Sequence, residues 1–412
     1  MTEGGRLRHA GRALRHRNYR LFFAGQLVSL VGTWMQIVAQ AWLVYRLTQS
    51  PFLLGLAGFA GQIPNLAFGP FMGSLADIFP RRRILVATSL AGLAIAGTLG
   101  LLTVGGHVEI WHVFVLAALL GTVNALDAPT RQSFLVEMVG REDLPSAIAL
   151  NSSMFNAARL VGPAIGGLVV AATGEGWCFL VNAASYLAAT AALLAMRLAP
   201  VEKRPPPAGG RLAEIAGGFA YARRTPAVGR ALLLLGIVSI AGMPYATLMP
   251  IFATEVLGGG PRGLGILMSA SGLGALAGAL TLAGRRGGSD GLSPWPRRAA
   301  IGFGTGLVLF AASTSFWLSA MILAGTGFAL MYQAGTTNLL IQLGVPDALR
   351  GRVMALYTST FLGLAPIGAL AAGALAGLIG AEATVAACGL ASVLAGLAIR
   401  IPAPETGRAG DR

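Results

Sequence analysis

Charged residues are scarce in this sequence, and lysine is almost absent. Only 11% of the 412 residues are charged, and a single lysine stands beside 29 arginines. A chain with 55% hydrophobic residues and a mean hydropathy of +0.70 has too little polar surface for an ordinary soluble domain. The shortage of charge therefore indicates a membrane protein. We attribute the preference for arginine over lysine to coding bias.

Cysteine, histidine and nucleotide-binding loops are also few or missing. The two cysteines, Cys178 and Cys388, are too few for a disulfide framework, and the four histidines lie in the N-terminal arm or near the outer ends of helices. The sequence contains no G-x-x-x-x-G-K-[ST] loop, which argues against a pump driven by ATP. We therefore expect no enzyme activity and no bound metal or cofactor.

Apolar stretches recur along nearly the whole chain. Twelve of them, between residues 20 and 400, are candidates to cross the roughly 30 Å of hydrocarbon in a bilayer, and the ninth, residues 299–314, is the shortest. Threaded with the N-terminus inside, they leave 27 of the 30 Lys and Arg residues on the cytoplasmic side. We therefore predict a multi-pass protein of the bacterial inner membrane with both termini cytoplasmic. The net charge of +14 is then explained by topology and not by nucleic-acid binding.

An internal repeat indicates two copies of one six-helix unit. A shift of 206 residues aligns Trp111 with Trp317 and Thr130 with Thr336. We predict an all-α membrane protein with twelve transmembrane helices in two six-helix bundles. The predicted domains are an N-terminal bundle with a basic cytoplasmic arm (1–200), a cytoplasmic linker with an amphipathic helix (201–226) and a C-terminal bundle with a short cytoplasmic tail (227–412).

The linker combines a flexible segment with a helical one. Prolines and glycines mark V-E-K-R-P-P-P-A-G-G, residues 201–210. Residues 211–224 follow, and four of them are spaced as one helical face: Leu212, Ile215, Phe219 and Ala222. We interpret 211–224 as an amphipathic helix on the cytoplasmic membrane surface, with a helix that binds a partner protein as the alternative.

A row of polar side chains follows one face of the first span: Gln26, Ser29, Thr33, Gln36 and Gln40. Lipid cannot face this row without a large cost in free energy. The row therefore faces a water-filled cavity, which we favour, or hydrogen-bonding neighbours inside a bundle. The fourth, seventh and tenth spans have similar polar positions, among them Asn124, Tyr245, Tyr332 and Gln333. We predict that these residues line one substrate pathway at the interface of the two repeats.

The segment G-S-L-A-D-I-F-P-R-R-R, residues 73–83, joins the second and third spans and resembles the signature of the major facilitator superfamily. Ile78 and Pro80 depart from the usual pattern. The resemblance implies a gate that holds the outward-open state, formed by Gly73, Asp77, Arg81 and Arg82, with Arg350 and Arg352 opposite.

A second segment, L-V-G-P-A-I-G-G-L in the fifth span, resembles the antiporter motif of the same superfamily through Gly162, Pro163, Gly166 and Gly167. The run 127–152, joined to 156–167, is similar to the subfamily of the enterobactin exporter and related efflux proteins. The resemblance implies export, alternating access and proton antiport. Rows of small residues, such as Gly373 and Gly377, also permit close helix contacts, which either rock or pack statically.

Two charged residues, Arg159 and Asp127, lie within predicted membrane spans. Arg159 lies about 20 Å along the fifth span from residue 146, too far to reach the cytoplasmic surface, so it needs a partner or water. It pairs with Asp127 or Asn124, contacts an anionic substrate group, or senses the protonation of Asp127. Asp127 is the first candidate for a carboxylate that exchanges protons within the membrane.

The sequence thus predicts a monomeric secondary transporter, driven by the proton gradient, that exports an amphipathic small molecule such as a siderophore, secondary metabolite or drug. A lysophospholipid or lipid flippase of the same fold is the alternative. A non-transporting receptor or assembly factor is disfavoured, because it would need a sizeable soluble domain.

Overall fold

The computed structural model describes residues 11–198, 211–285 and 291–402, and these are almost entirely helical, without a strand. In chain order the helices are α1 (Arg17–Thr48), α2 (Pro51–Ile78), α3 (Arg81–Val104), α4 and α5 (together Ile110–Thr173), α6 (Glu175–Leu194), α7 (Arg211–Arg224), α8 (Pro226–Val256), α9 (Gly260–Gly284), α10 (Pro294–Ala312), α11 (Phe316–Gly344), α12 (Asp347–Gly363 and Ala365–Ile379) and α13 (Ala381–Ala398).

Helices α4 and α5 meet at a glycine. Within Ile110–Thr173 the backbone leaves helical geometry at Gly140, whose φ of 72° lies in the left-handed region that glycine adopts without strain. Helix α4 therefore covers residues 110–139, and α5 covers 141–173. Helix α4 continues through Pro129, and helix α5 continues through Pro145 and Pro163.

Twelve helices are long enough to span a membrane. Length and hydropathy identify ten segments, of which Ile110–Thr173 contains both α4 and α5. Helix α10 supplies the remaining span, and its 19 residues measure about 28 Å. In a bilayer each backbone amide must be satisfied within the chain, which helices achieve. The predicted all-α fold with twelve transmembrane helices is confirmed.

One compact unit comprises Met1–Gln49, Ala60–Pro207 and Gly259–Ser269. At one end of it, a short 3-10 helix, Arg12–Arg15, leads into α1. Tyr19 and Phe134 are fully buried there, in an apolar cluster that also contains Ala13 and Ala147. The start of α1 is thus packed against the region where α4 ends and α5 begins.

The other compact unit comprises Ser50–Phe59, Ala208–Gly258 and Ala270–Arg412. The predicted helix at 211–224 is present as α7. Its Ala222 belongs to a buried cluster with Val353 and Tyr357 of α12. Helix α8 contains two five-residue π-helical segments, Val238–Gly242 and Phe252–Val256. The placement of α7 on a membrane surface stays a prediction.

Each compact unit includes the first residues of a helix from the opposite half of the sequence. The beginning of α2 packs on α12, where a Cβ added at Gly373 would lie 3.0 Å from the Cα of Gly55. The beginning of α9 packs on α5, where a Cβ added at Gly167 would lie 2.9 Å from the Cα of Gly265. At both crossings the backbone of one helix contacts the backbone of the other. A side chain larger than that of glycine does not fit between them. The domain boundaries at 200 and 226 stay predictions.

Candidate functional site

Asp127 of α4 is buried and bound by two side chains. The residue is 8% exposed. One carboxylate oxygen forms an ion pair with Arg131, one helical turn further along α4. The other accepts a hydrogen bond from Thr88 Oγ1 of α3 at 2.9 Å. A carboxylate in these surroundings is stable while its partners stay in place, because breaking a buried ion pair costs about 3–5 kcal/mol.

Polar contacts continue from this ion pair towards α1. Tyr186 of α6 lies close to Arg131 and within hydrogen-bonding reach of Thr33 and Asn182. Asn182 donates from Nδ2 to Gln36 Oε1 at 2.6 Å, and both residues are buried. Thr33 and Gln36 therefore have bundle-interior partners on α6.

The remaining polar residues predicted on these two spans are less enclosed. Gln26 and Gln40 are half-buried, and Asn124 is exposed. A polar side chain that is exposed at membrane depth needs water or a polar ligand beside it. The assignment of these residues, together with Thr33 and Gln36, to a substrate pathway stays a prediction.

Arg159 lies against an aromatic pair. Its guanidinium is 5.8 Å from the ring centroid of Trp34 in α1, a cation–π geometry. The ring of Trp34 meets Phe155 of α5 edge-on at 5.7 Å. Asp127 uses Arg131 and Thr88 as its partners. The predicted role of Arg159, including a pairing with Asp127 or Asn124, stays a prediction.

The second half of the chain is uncharged at the positions equivalent to this ion pair. The 206-residue shift that aligns Thr130 with Thr336 relates Asp127 to Gln333 and Arg131 to Thr337. Gln333 and Thr337 are both fully buried. Among the described residues, no hydrogen-bond partner reaches either polar atom of the Gln333 amide or the Thr337 hydroxyl.

The two predicted tyrosines are also buried. The hydroxyls of Tyr245 and Ser271 are 2.8 Å apart, and the ring of Tyr332 stacks on Phe328 at 5.7 Å. Tyr332 also accepts a hydrogen bond from Arg285 Nη1 at 3.3 Å. The role of Tyr245, Tyr332 and Gln333 in a pathway stays a prediction.

The four residues of the antiporter-type motif lie at close helix crossings. Gly162 and Gly166 face α1, where an added Cβ at Gly166 would lie 2.9 Å from the Cα of Met35. Pro163 and Gly167 face α9, where an added Cβ at Gly167 would lie 2.7 Å from the carbonyl oxygen of Pro261. The motif thus presents two glycines to α1, and Pro163 with one glycine to α9.

The arginines of the gating motif connect α3 to its neighbours. Arg81 Nη1 donates to Glu137 Oε1 at 2.5 Å, and Arg82 Nη2 donates to the carbonyl of Leu194 at 2.7 Å. The side chains of Gly73 and Asp77 lie outside the described residues. The predicted gate therefore stays a prediction, although two of its arginines have defined contacts with α4 and α6.

The two arginines predicted to lie opposite, Arg350 and Arg352, are both in the first two turns of α12. Arg350 Nε donates to the carbonyl of Gln342 at 3.1 Å. Arg352 packs against Gly217 and Gly218 of α7. Arg352 thus places the amphipathic helix beside the first turn of α12.

Residues 11–20, here called the strap, hold the α4–α5 connection. Asp143 accepts a hydrogen bond from His16 Nε2 at 2.8 Å and pairs with Arg12 at 3.1 Å. The amide of Ala13 donates to Ser146 Oγ at 3.1 Å. The hydrogen bond from His16, followed by the charge of Arg12, holds the pKa of Asp143 below its usual range.

Replacing Asp143 by asparagine is expected to release the strap, because the negative charge that His16 and Arg12 share is lost and only one acceptor oxygen remains. Hydrogen exchange at pH 7 would show lost protection of the Ala13 amide. Glu142→Gln, which alters an exposed acid without a described contact, is the matched control. Because the folded-state pKa of Asp143 is lowered, the wild-type strap is expected to stay docked at mildly acid pH and to loosen only as the pH falls through that pKa. Unchanged protection in Asp143→Asn would contradict this role.

A cavity of about 910 Å³ opens between the end of α4 and the start of α5. Its wall is amphipathic and consists of Gln132, Leu135, Val136, Arg141, Leu144, Ile148, Asn151, Ser152 and Phe155. Its size is in the range that holds a small organic ligand. These residues form no polar row on one helix face, so their spacing in the sequence did not predict a site. The one weak indication in the sequence is that Gln132, Asn151 and Ser152, the uncharged polar residues of this wall, lie near the ends of predicted spans.

The sequence matches the family described as transmembrane secretion effector over residues 10–409. It is 30% identical over 402 residues to the multidrug efflux pump Tap of Mycobacterium tuberculosis, covering 93% of each chain. It is 26% identical over 397 residues to the enterobactin exporter EntS of Shigella boydii, covering 95% of this chain and 93% of EntS. The crystal structure of a D-xylose–proton symporter shares the fold, with a TM-score of 0.71 at 14% identity over 93% of this chain and 98% of that chain.

The extent of the sequence match and the helical architecture support the same family assignment. The match covers nearly the whole sequence, and the twelve helices are those of a transporter fold. A small-molecule substrate and a place in the membrane follow from the family, whose members are transporters and not enzymes. The chain belongs to the transmembrane secretion effector family of the major facilitator superfamily.

Proposed function

We propose that this protein exports an amphipathic small molecule across the bacterial inner membrane, by alternating access coupled to proton entry. Both termini lie in the cytoplasm in this proposal, as the arginine distribution indicates. The relatives Tap and EntS carry the names of a multidrug efflux pump and an enterobactin exporter, which supports the direction and the substrate class.

The buried Asp127 carries the proposal of proton coupling. A carboxylate takes up a proton when its environment disfavours the charge, and loses it when a cation comes close. Asp127 is buried on α4 beside Arg131 and Thr88. Movement of α4 relative to α3 would change the distance to Thr88 and the access of water. This geometry supports a carboxylate whose proton affinity follows the conformation of the transporter.

The glycine crossings support alternating access. Helices α5 and α9 touch through Gly167 and Gly265, and α2 and α12 touch through Gly55 and Gly373. Each crossing joins helices of opposite sequence halves and lacks side chains that would interlock. Such contacts separate and re-form without unfolding a helix. By the predicted topology, both crossings lie towards the outer ends of these helices.

The cavity between α4 and α5 supports an amphipathic substrate. Phe155 and Ile148 offer apolar surface, while Asn151 and Gln132 offer hydrogen bonds. Arg141 adds one positive charge at the rim. We infer that substrate enters from the cytoplasmic side through this cavity.

Transport into inverted membrane vesicles tests the proposal. Siderophores, antibiotics and dyes are offered with and without an imposed pH gradient, acid inside. Accumulation that an uncoupler abolishes would support export with proton antiport. Accumulation in right-side-out vesicles only would reverse the direction. Movement of labelled phospholipid, and of none of the soluble compounds, would favour a lipid flippase instead.

A further inference from the structure

Three arginines gather where α9 ends and α10 begins. Arg285 follows α9 directly, and Arg297 and Arg298 lie in the first turn of α10. The first turn of α10 contains no acidic residue. The positive end of the helix dipole adds to the charge of the two arginines there. This end of α10 is therefore strongly electropositive.

Trp295 brings two of these guanidinium groups together. The Arg285 guanidinium carbon is 5.3 Å from the centroid of the Trp295 ring, and that of Arg298 is 5.4 Å away. The ring of Tyr332 meets Trp295 edge-on at 5.6 Å, and its hydroxyl accepts a hydrogen bond from Arg285. Cation–π contacts hold the two arginines near one ring without neutralising either charge. We call Arg285, Trp295, Arg297, Arg298 and Tyr332 the Trp295 cluster.

The cluster lacks a counter-ion in the described part of the chain. None of the ion pairs there involves Arg285, Arg297 or Arg298. The Nε of Arg297 is buried, and no described atom accepts a hydrogen bond from it. Like charges this close repel each other unless an anion lies between them. The described residues therefore supply no anion to these three arginines.

We propose that the Trp295 cluster binds the phosphate of an anionic phospholipid in the cytoplasmic leaflet. Guanidinium groups donate hydrogen bonds to phosphate oxygens in a fixed fork. The cluster lies where two spanning helices end, which is the depth of lipid headgroups, and tryptophan and tyrosine are enriched at that depth. Arg298 is exposed and Arg285 is half-buried, so both side chains are open to a ligand from outside the protein. Basic pockets between helices on the cytoplasmic side are suited to such lipids.

Tryptophan quenching by brominated lipid measures the binding directly. The full-length protein is placed in nanodiscs that contain brominated phosphatidylglycerol or brominated phosphatidylcholine at equal mole fraction. The signal of Trp295, one of six tryptophans, is taken as the difference from Trp295→Phe. We expect phosphatidylglycerol to quench Trp295 more strongly, and we expect 0.5 M salt to weaken this preference. The salt comparison needs no arginine variant, so a folding defect caused by the loss of a charge cannot obscure it.

Variants assign the preference to the arginines. Arg285→Gln with Arg298→Gln is expected to lower the preference for phosphatidylglycerol by about 25-fold, at roughly fivefold for each charge. Arg223→Gln is the matched control, because Arg223 also lies over an aromatic ring, that of Phe219, on another helix. Repeating the measurement in Asp290→Asn is expected to leave the preference unchanged.

Three outcomes would overturn the proposal. In the first, the two lipids quench Trp295 equally in the wild-type protein. In the second, the preference survives loss of both arginines. In the third, millimolar inorganic phosphate abolishes the preference at constant ionic strength, which would identify a site for soluble anions.

Discussion

Asp127→Asn is expected to abolish accumulation driven by a pH gradient in inverted vesicles. Asparagine cannot exchange a proton, so the proposed coupling through Asp127 is lost. The substitution also leaves Arg131 without its ion-pair partner in a buried position. That change is expected to lower the stability by about 3–5 kcal/mol. Thermal unfolding in detergent therefore has to accompany the transport assay.

A double variant separates coupling from folding. Asp127→Asn combined with Arg131→Gln removes both charges and leaves no buried charge unpaired. We expect the melting temperature to recover and gradient-driven accumulation to remain absent. Glu142→Gln, at an exposed acid near the start of α5, is expected to behave like the wild type. Gradient-driven accumulation in the double variant would show that protons pass elsewhere.

Gly373→Leu is expected to stop transport because it prevents the crossing of α2 and α12 from closing. A Cβ at this position would lie 2.6 Å from the carbonyl oxygen of Pro51 and 3.0 Å from the Cα of Gly55. Both are backbone atoms of α2, which cannot rotate away as a side chain can. Overpacking of this kind costs about 1–3 kcal/mol, which corresponds to a roughly five- to 160-fold loss of the closed crossing. Uptake of a substrate into inverted vesicles is expected to fall accordingly.

Gly377→Leu is the matched control on the same helix. Gly377 lies one turn beyond Gly373, and an added Cβ there meets no atom within 4 Å. The same leucine at this position is expected to leave both transport and melting temperature near the wild-type values. Equal transport by the two variants would show that the α2–α12 crossing does not have to close during the cycle.

Hydropathy was sufficient to predict the helices, because a bilayer leaves the backbone few alternatives. The shortest predicted span, 299–314, is present as α10, which begins at Pro294. Its first turn carries Arg297 and Arg298, and these lower its hydropathy. The helix break at Gly140 was harder to predict, since only the left-handed φ of a glycine marks it.

Side-chain partners could not be read from the sequence. Spacing left Arg159 with several candidate partners and gave no sign that Asp127 forms an ion pair with Arg131, four residues away on its own helix. The contact of Arg159 with Trp34 depends on how α5 crosses α1 at Gly162. Hydropathy and spacing do not determine that crossing.

The half-chain shift that relates Asp127 to Gln333 has a consequence for stoichiometry. An amide and a hydroxyl do not titrate near neutral pH, so Gln333 and Thr337 cannot take up a proton. Of the two equivalent positions, only Asp127 can do so. In the proposed coupling, a cycle driven through this pair of positions is expected to exchange one proton, and its rate is expected to depend on proton concentration with a Hill coefficient of one.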